Sequence, residues 1–169
     1  MQIGTHSLCA AAAWIWLYRS GAVPETVSVG LWGGIPLAVL GGALPDIDHP
    51  RSWLGRRLSL IAVPLAALIG HRGLSHSLLA VVGLGLLWEK LRLDAVLAAS
   101  AMPSAGLLLP LLTGYLSHVL ADALTPAGVP LLWPWRRRFG APLVRTGGVV
   151  EWLLGFTLAG FTAMSMLRP

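Results

Sequence analysis

The charged side chains of this sequence avoid its apolar runs. His6–Tyr18, Thr26–Leu44, Ser75–Trp88, Pro103–Leu124 and Val150–Leu167 contain no Lys or Arg. The only acidic or imidazole side chains within them are His6, His76, His118, Asp122 and Glu151. Roughly 20 apolar residues cross a bilayer, so these runs read as about five spanning helices, the first of them short. Ser59–Gly70 is apolar but shorter, a length that suits a re-entrant or interfacial helix. Asp94–Met102 reads as a short helix leading into the next span. Pro64 and Pro110 fall inside apolar runs and are expected to kink them. The expected fold is an all-α, polytopic membrane helical bundle of about five spanning helices plus one short re-entrant or interfacial helix. With no internal repeat or low-complexity segment, residues 1–169 read as a single integral-membrane domain.

Composition supports a chain whose solvent is lipid. Of the 169 residues, 56% are hydrophobic and 11% charged, against ~25% charged in a soluble domain. This excludes a disordered chain, a soluble nucleic-acid module and a coiled coil. The net charge of +5 therefore reads as membrane orientation and attraction to anionic lipid head groups, with no direct nucleic-acid contact expected. The single cysteine, Cys9, excludes an intrachain disulfide and a Cys-based zinc site. No Lys or Arg precedes the first apolar run, so a cleaved signal peptide is not expected. All eight Trp residues fall near predicted helix ends or in connections, as interfacial belts favour.

Tracing the spans gives each polar residue a side. With His6 on one face, Asp46, Asp48, His49, His71, His76, His118, Asp122 and Glu151 all return to that face. So do Arg51, Arg56, Arg57, Arg72, Arg136, Arg137, Arg138 and Arg145, leaving Arg19, Lys90, Arg92 and Arg168 opposite. The positive-inside rule then puts the His- and Asp-rich face in the cytoplasm. Ionisable groups at membrane depth are costly and usually functional.

The local spacings suit a metal site. His118 and Asp122 are four apart, so both face one way on a helix, although a helix-surface ion pair would look identical. Pro45-Asp46-Ile47-Asp48-His49-Pro50 sets two acids and a histidine between prolines, which favour extended backbone. Asp46 and Asp48 are then expected to point the same way. His71-Arg72-Gly73-Leu74-Ser75-His76 places two imidazoles around a glycine bend. Ser75 is expected to cap the next helix, and Arg72 suits a phosphate or carboxylate. The donors are imidazole and carboxylate without sulfur. Imidazole suits zinc, iron, nickel and copper, carboxylates keep manganese and magnesium open, and the number of candidates suits two metals or one metal with many outer partners.

The motifs Pro45–Pro50, His71–Ser77 and Gly114–Val129 together resemble the YdjM family, over nearly the whole chain from His6 through Glu151. That family is described as membrane-bound metal-dependent hydrolases, or LexA-binding inner-membrane hydrolases, and is distantly similar to the zinc-dependent phospholipase C and P1 nuclease group. The resemblance implies an inner-membrane protein, phosphoester hydrolysis, one, two or more divalent ions with zinc favoured and manganese or iron as alternatives, and a regulatory protein partner. It implies metal-site roles for His6, Asp46, His71, His76, His118, Asp122 and Glu151. Asp48 and His49 stand open as ligand, outer support or base.

The expected activity is metal-assisted hydrolysis of a lipid or lipid-linked phosphoester at the cytoplasmic face. His6, Asp46, His49, His71, His76, His118 and Asp122 are the expected metal residues. Asp48 or Glu151 is expected to orient or deprotonate water, and Arg72 to attract the phosphate. The alternatives are hydrolysis of an ester or amide of an acylated substrate, and a non-catalytic, metal-stabilised membrane scaffold or regulator. A serine hydrolase is disfavoured by the lack of a Gly-x-Ser-x-Gly elbow. An ion pathway is disfavoured because the opposite face carries few ionisable groups.

Overall fold

A computed structural model describes residues 1–69, 73–99, 106–135 and 137–167. Its helices in chain order are α1 (Ile3–Arg19), α2 (Gly30–Ala43), α3 (Trp53–Arg57), α4 (Ser59–Ile69), α5 (Leu78–Lys90), α6 (Leu93–Ala99), α7 (Leu108–Ala123) and α8 (Val149–Leu167). A 3-10 turn, Leu44–Asp48, continues α2, and a second, Leu74–His76, leads into α5. Among the described residues the only extended pairing is an isolated bridge between Val129 and Phe139. The all-α expectation therefore holds.

The span count is a different matter. Among the described residues, two segments are long and apolar enough to cross a membrane: Gly30–Asp48 and Val149–Leu167, 19 residues each. The other expected spans fold as helices of 17 residues (α1), 13 (α5) and 16 (α7). At 1.5 Å per residue, α5 reaches ~20 Å and α7 ~24 Å, short of a ~30 Å hydrocarbon core. Helix length among the described residues thus gives two candidate spans and does not confirm five. Apolar side chains nevertheless cover the outside: Leu60 and Leu68 on α4 are 92% and 83% exposed, and Phe156 on α8 is 70% exposed. Such a surface suits lipid and is a liability in water.

The centre is α1, α2 and α7 packed on one another, and small residues permit it. A Cβ on Gly114 would collide with the Ala38 carbonyl, and one on Gly41 with the Leu111 carbonyl. Without side chains there, the α2 and α7 backbones touch, as in close-packed membrane helices. Trp14, fully buried with Ala10 and Ala38, donates its indole N–H to the Leu31 carbonyl at 3.0 Å. It is a core residue, not an interfacial one. Trp16, Trp32, Trp135 and Trp152 are exposed.

Two local expectations are corrected. Pro110 lies in the first turn of α7, where its missing N–H has no partner to lose and no kink follows. Pro64 does lie within α4. The helix after His76 is capped by Ser77, whose Oγ accepts from the Ala80 N–H at 3.2 Å, so Ser75 is free for another task.

The ends sort by side. The Gln2 N–H at the start of α1 donates to Glu151 in the first turn of α8 at 2.6 Å. At the far end, Arg19 donates to the Ser165 carbonyl at 2.6 Å, so α1 and α8 run parallel. The ends of α2 and α7 come back to the start of α1, where the polar residues gather.

The glycine contact is directly testable. Gly114→Ala should cost ~1–3 kcal/mol by overpacking and lower the thermal midpoint of the detergent-solubilised chain. Gly83→Ala, whose new Cβ meets nothing within 4 Å, should be neutral or stabilise by up to ~1 kcal/mol. Equal midpoints for the two variants would contradict the backbone contact.

Candidate metal centre

The site begins with α7. Gly114, His118 and Asp122 are spaced by four, so one stripe carries the glycine contact and both polar groups toward α2. The contact at Ala38 sets His118 beside the last turn of α2. There the His118 Nδ1 meets the Gly42 carbonyl at 2.6 Å. Carbonyls at a helix C-terminus lack regular partners, and Pro45 has no N–H to offer Gly42 at i+3. A carbonyl only accepts, so Nδ1 carries the proton and the Nε2 lone pair points away from α2. That Nε2 is buried and has no hydrogen-bond partner.

His76 is oriented in the same sense by a relay. The buried Asp48 carboxylate accepts a short hydrogen bond from the Ser75 hydroxyl. The Ser75 Oγ lies 3.0 Å from His76 Nδ1. Because the hydroxyl proton goes to Asp48, Oγ accepts from Nδ1–H, which leaves Nε2 as the lone-pair atom. Tyr115 fixes the turn by donating to the Ser75 carbonyl at 2.7 Å.

Both Nε2 atoms face carboxylates. His76 Nε2 lies 3.7 Å from Asp46 Oδ1 and 3.8 Å from Asp122 Oδ2. His118 Nε2 lies 3.8 Å from Asp46 Oδ1 and 3.9 Å from Asp122 Oδ2. These are too long for hydrogen bonds. A lone pair facing an anion is unfavourable unless a proton or a cation lies between. Two donors each ~2.1 Å from a tetrahedral ion stand ~3.4 Å apart, a few tenths of an ångström closer than these atoms. The donor set fits a divalent cation, and the Asp46, His76 and His118 donor atoms lie within 4.8 Å of one another.

His6, His118 and Asp122 form a second such group. His6 stacks on His118 with ring centroids 3.6 Å apart and planes 9° apart, and its Nε2 lies 3.3 Å from Asp122 Oδ1. The Met1 amine donates to the same oxygen at 2.7 Å. Asp122 thus presents Oδ1 to His6 and Oδ2 to His76 and His118. Since Gly42 occupies His118 Nδ1, His118 offers one ligand atom to both groups.

Other expected site residues lie elsewhere. Asp48 stands behind His76, 3.7 Å from Nδ1, and belongs to neither donor group. The prolines around it end α2 but leave a 3-10 turn, not extended backbone. Asp46 and Asp48 therefore reach His76 from opposite sides. Glu151 lies outside both donor groups. Its Oε1 accepts from Gln2 N–H and its Oε2 from Gly147 N–H, each at 2.6 Å, which ties α1 to α8. His49, half-buried after the turn, belongs to neither group. His71, Arg72 and Arg136 lie outside the described residues. The Gly42 carbonyl and the Ser75 relay escaped sequence reasoning. Gly42 carries no side-chain signal, and Ser75 reads as one more helix-capping serine.

A family model described as YdjM inner membrane protein matches residues 1–168. Inner membrane protein YdjM of Escherichia coli (strain K12) is 44% identical over 140 residues, which is 82% of this chain and 68% of that one. The Shigella flexneri protein of the same name gives the same figures. Uncharacterized protein YvsG of Bacillus subtilis (strain 168) is 31% identical over 127 residues, covering 75% and 71%. No solved structure matches.

Elemental analysis of purified variants separates these roles. His118→Ala and Asp46→Ala should remove bound metal, and Ser75→Ala should weaken affinity ~10–100-fold through a misaligned His76. Glu151→Gln should keep the metal and lose ~1–3 kcal/mol of stability with its charge-assisted bonds. Full metal content in His118→Ala, or its loss in Glu151→Gln with the fold intact, would contradict the assignment.

Proposed function

Because the chain belongs to the YdjM inner membrane protein family, we propose that it is a membrane-embedded, metal-dependent hydrolase, acting on a phosphoester of a lipid or lipid-linked substrate at the cytoplasmic face. The observation that carries this reading is the pair of imidazoles locked at Nδ1. Their Nε2 atoms converge on Asp46 and Asp122.

Asp46, His76, His118 and Asp122 hold one divalent cation, zinc favoured, and the Asp122 Oδ1 and His6 side offers partial support for a second. When bound, such an ion supplies water acidified to a pKa near ~7 and polarises a phosphoryl oxygen. Asp48 and Ser75 hold the tautomer and aim of His76, and Gly42 does the same for His118. Asp46 is the accessible donor: its side chain is 22% exposed, whereas those of His76, His118 and Asp122 are at most 2% exposed. Substrate therefore approaches over Asp46. Burial of the other three keeps bulk water from competing at their donor atoms.

The full chain in lipid nanodiscs, loaded with zinc or manganese, should release phosphate or a phospho-head group from a phospholipid or polyprenyl phosphate. Chelation should abolish release and metal return should restore it. His76→Ala and His118→Ala should fall to background. Metal bound at stoichiometry with no release across both lipid panels would overturn the phosphoester reading. Mass spectrometry of the products would then separate ester or amide cleavage from a non-catalytic regulatory site.

A further inference from the structure

An apolar groove of about 420 Å³ runs between α1 and α2. Gly4 and Ser7 of α1, Val39, Leu40 and Ala43 of α2, and Trp53 of α3 are among its walls. Its volume falls within the ~300–1,000 Å³ of small-molecule sites. It also has a direction. Ser7 follows His6 in α1, and Ala43 follows Gly42, whose carbonyl holds His118. The groove therefore flanks the backbone that carries His6 and the Gly42 carbonyl that holds His118. A Cβ on Gly4 would meet nothing within 4 Å, so α1 leaves open space there.

A cation stands beside one wall. The Arg57 guanidinium stacks over the Trp53 ring, 4.0 Å from its centroid. Both residues are exposed, and Arg57 also donates to the Trp53 carbonyl at 3.1 Å. Trp53 lines the groove and Arg57 stands against it, outside the lining, so a groove that is apolar apart from Ser7 has a cation at its edge and matches a molecule with an apolar body and an anionic end.

We propose that the α1–α2 groove binds the hydrocarbon chain of a single-chain phosphorylated amphiphile, with the phosphate held between Arg57 and the Asp46 side of the metal centre. This rests on the hydrolase reading and gives its substrate class: one aliphatic chain lying between two helices, phosphate at its end. Leu40, 44% exposed, opens the groove sideways toward lipid, so the chain enters without leaving the bilayer.

A diazirine-bearing hexadecyl phosphate, photolysed with the full chain in detergent, tests the proposal without turnover. Label should map to the first turns of α1 and the last turns of α2. Excess unlabelled hexadecyl phosphate should displace it, and an alkyl glucoside should displace it far less. Ser7→Phe and Leu40→Trp each fill the groove and should cut labelling at least ~10-fold with metal content unchanged. Should Ser7→Phe fail to fold, the exposed Leu40→Trp still decides. Arg57→Gln should erase the preference for phosphate over glucoside. Label spread evenly over α4 and α8, or undiminished in Leu40→Trp, would overturn the proposal. Turnover without groove labelling sinks the groove alone. Groove labelling without hydrolysis of any phosphoester sinks the hydrolase reading and leaves the groove as an amphiphile site.

Discussion

Gly114 lays its backbone against the carbonyl of Ala38, and the positions of His118 and Asp122 follow from that contact. Helix periodicity carries the glycine stripe of α7 down one turn to His118 and another to Asp122. Any side chain at Gly114 would push α2 and α7 apart and take His118 away from the Gly42 carbonyl. Packing and site chemistry are therefore one arrangement. The Gly114 contact that lets two backbones touch also brings His118 to the Gly42 carbonyl.

The electrostatics follow the same design. Two carboxylates and two imidazoles sit at the end of an apolar bundle where unpaired charge is costly. Their outer contacts put a proton on Nδ1 of each of these histidines, so in the neutral ring the lone pair faces inward. Such outer-sphere hydrogen bonds raise ligand basicity and hold direction. Ser75 is the economical element here, because one hydroxyl both satisfies Asp48 and orients His76. Glu151 works at a distance. By holding Gln2 and Gly147 it seats the start of α1, and with it His6.

Much of this was legible in the sequence. Helix positions were, because apolar runs broken by Gly, Pro and polar clusters mark their own ends. The convergence of Asp46, His76, His118 and Asp122 was, because each stands at the same end of its run. Of the five expected spans, two reach spanning length among the described residues. The hydropathy of α5 and α7 resembles that of α2 and α8, but their lengths depend on where turns begin. The roles of Asp48 and Glu151 were hidden for a related reason. An acid beside a ligand and an acid that is a ligand have the same letter, and only the donor it accepts from separates them. Trp14 looked interfacial by position, and only the packing of Ala10 and Ala38 around it makes it core.

X-ray absorption at the metal edge of the purified, membrane-extracted chain tests the central claim most directly. The account predicts a first shell of imidazole nitrogens and carboxylate oxygens without sulfur, with the outer-ring scattering of two histidines. That scattering should be lost in His76→Ala and His118→Ala. A shell containing the Cys9 sulfur, or oxygen alone without imidazole scattering, would contradict it.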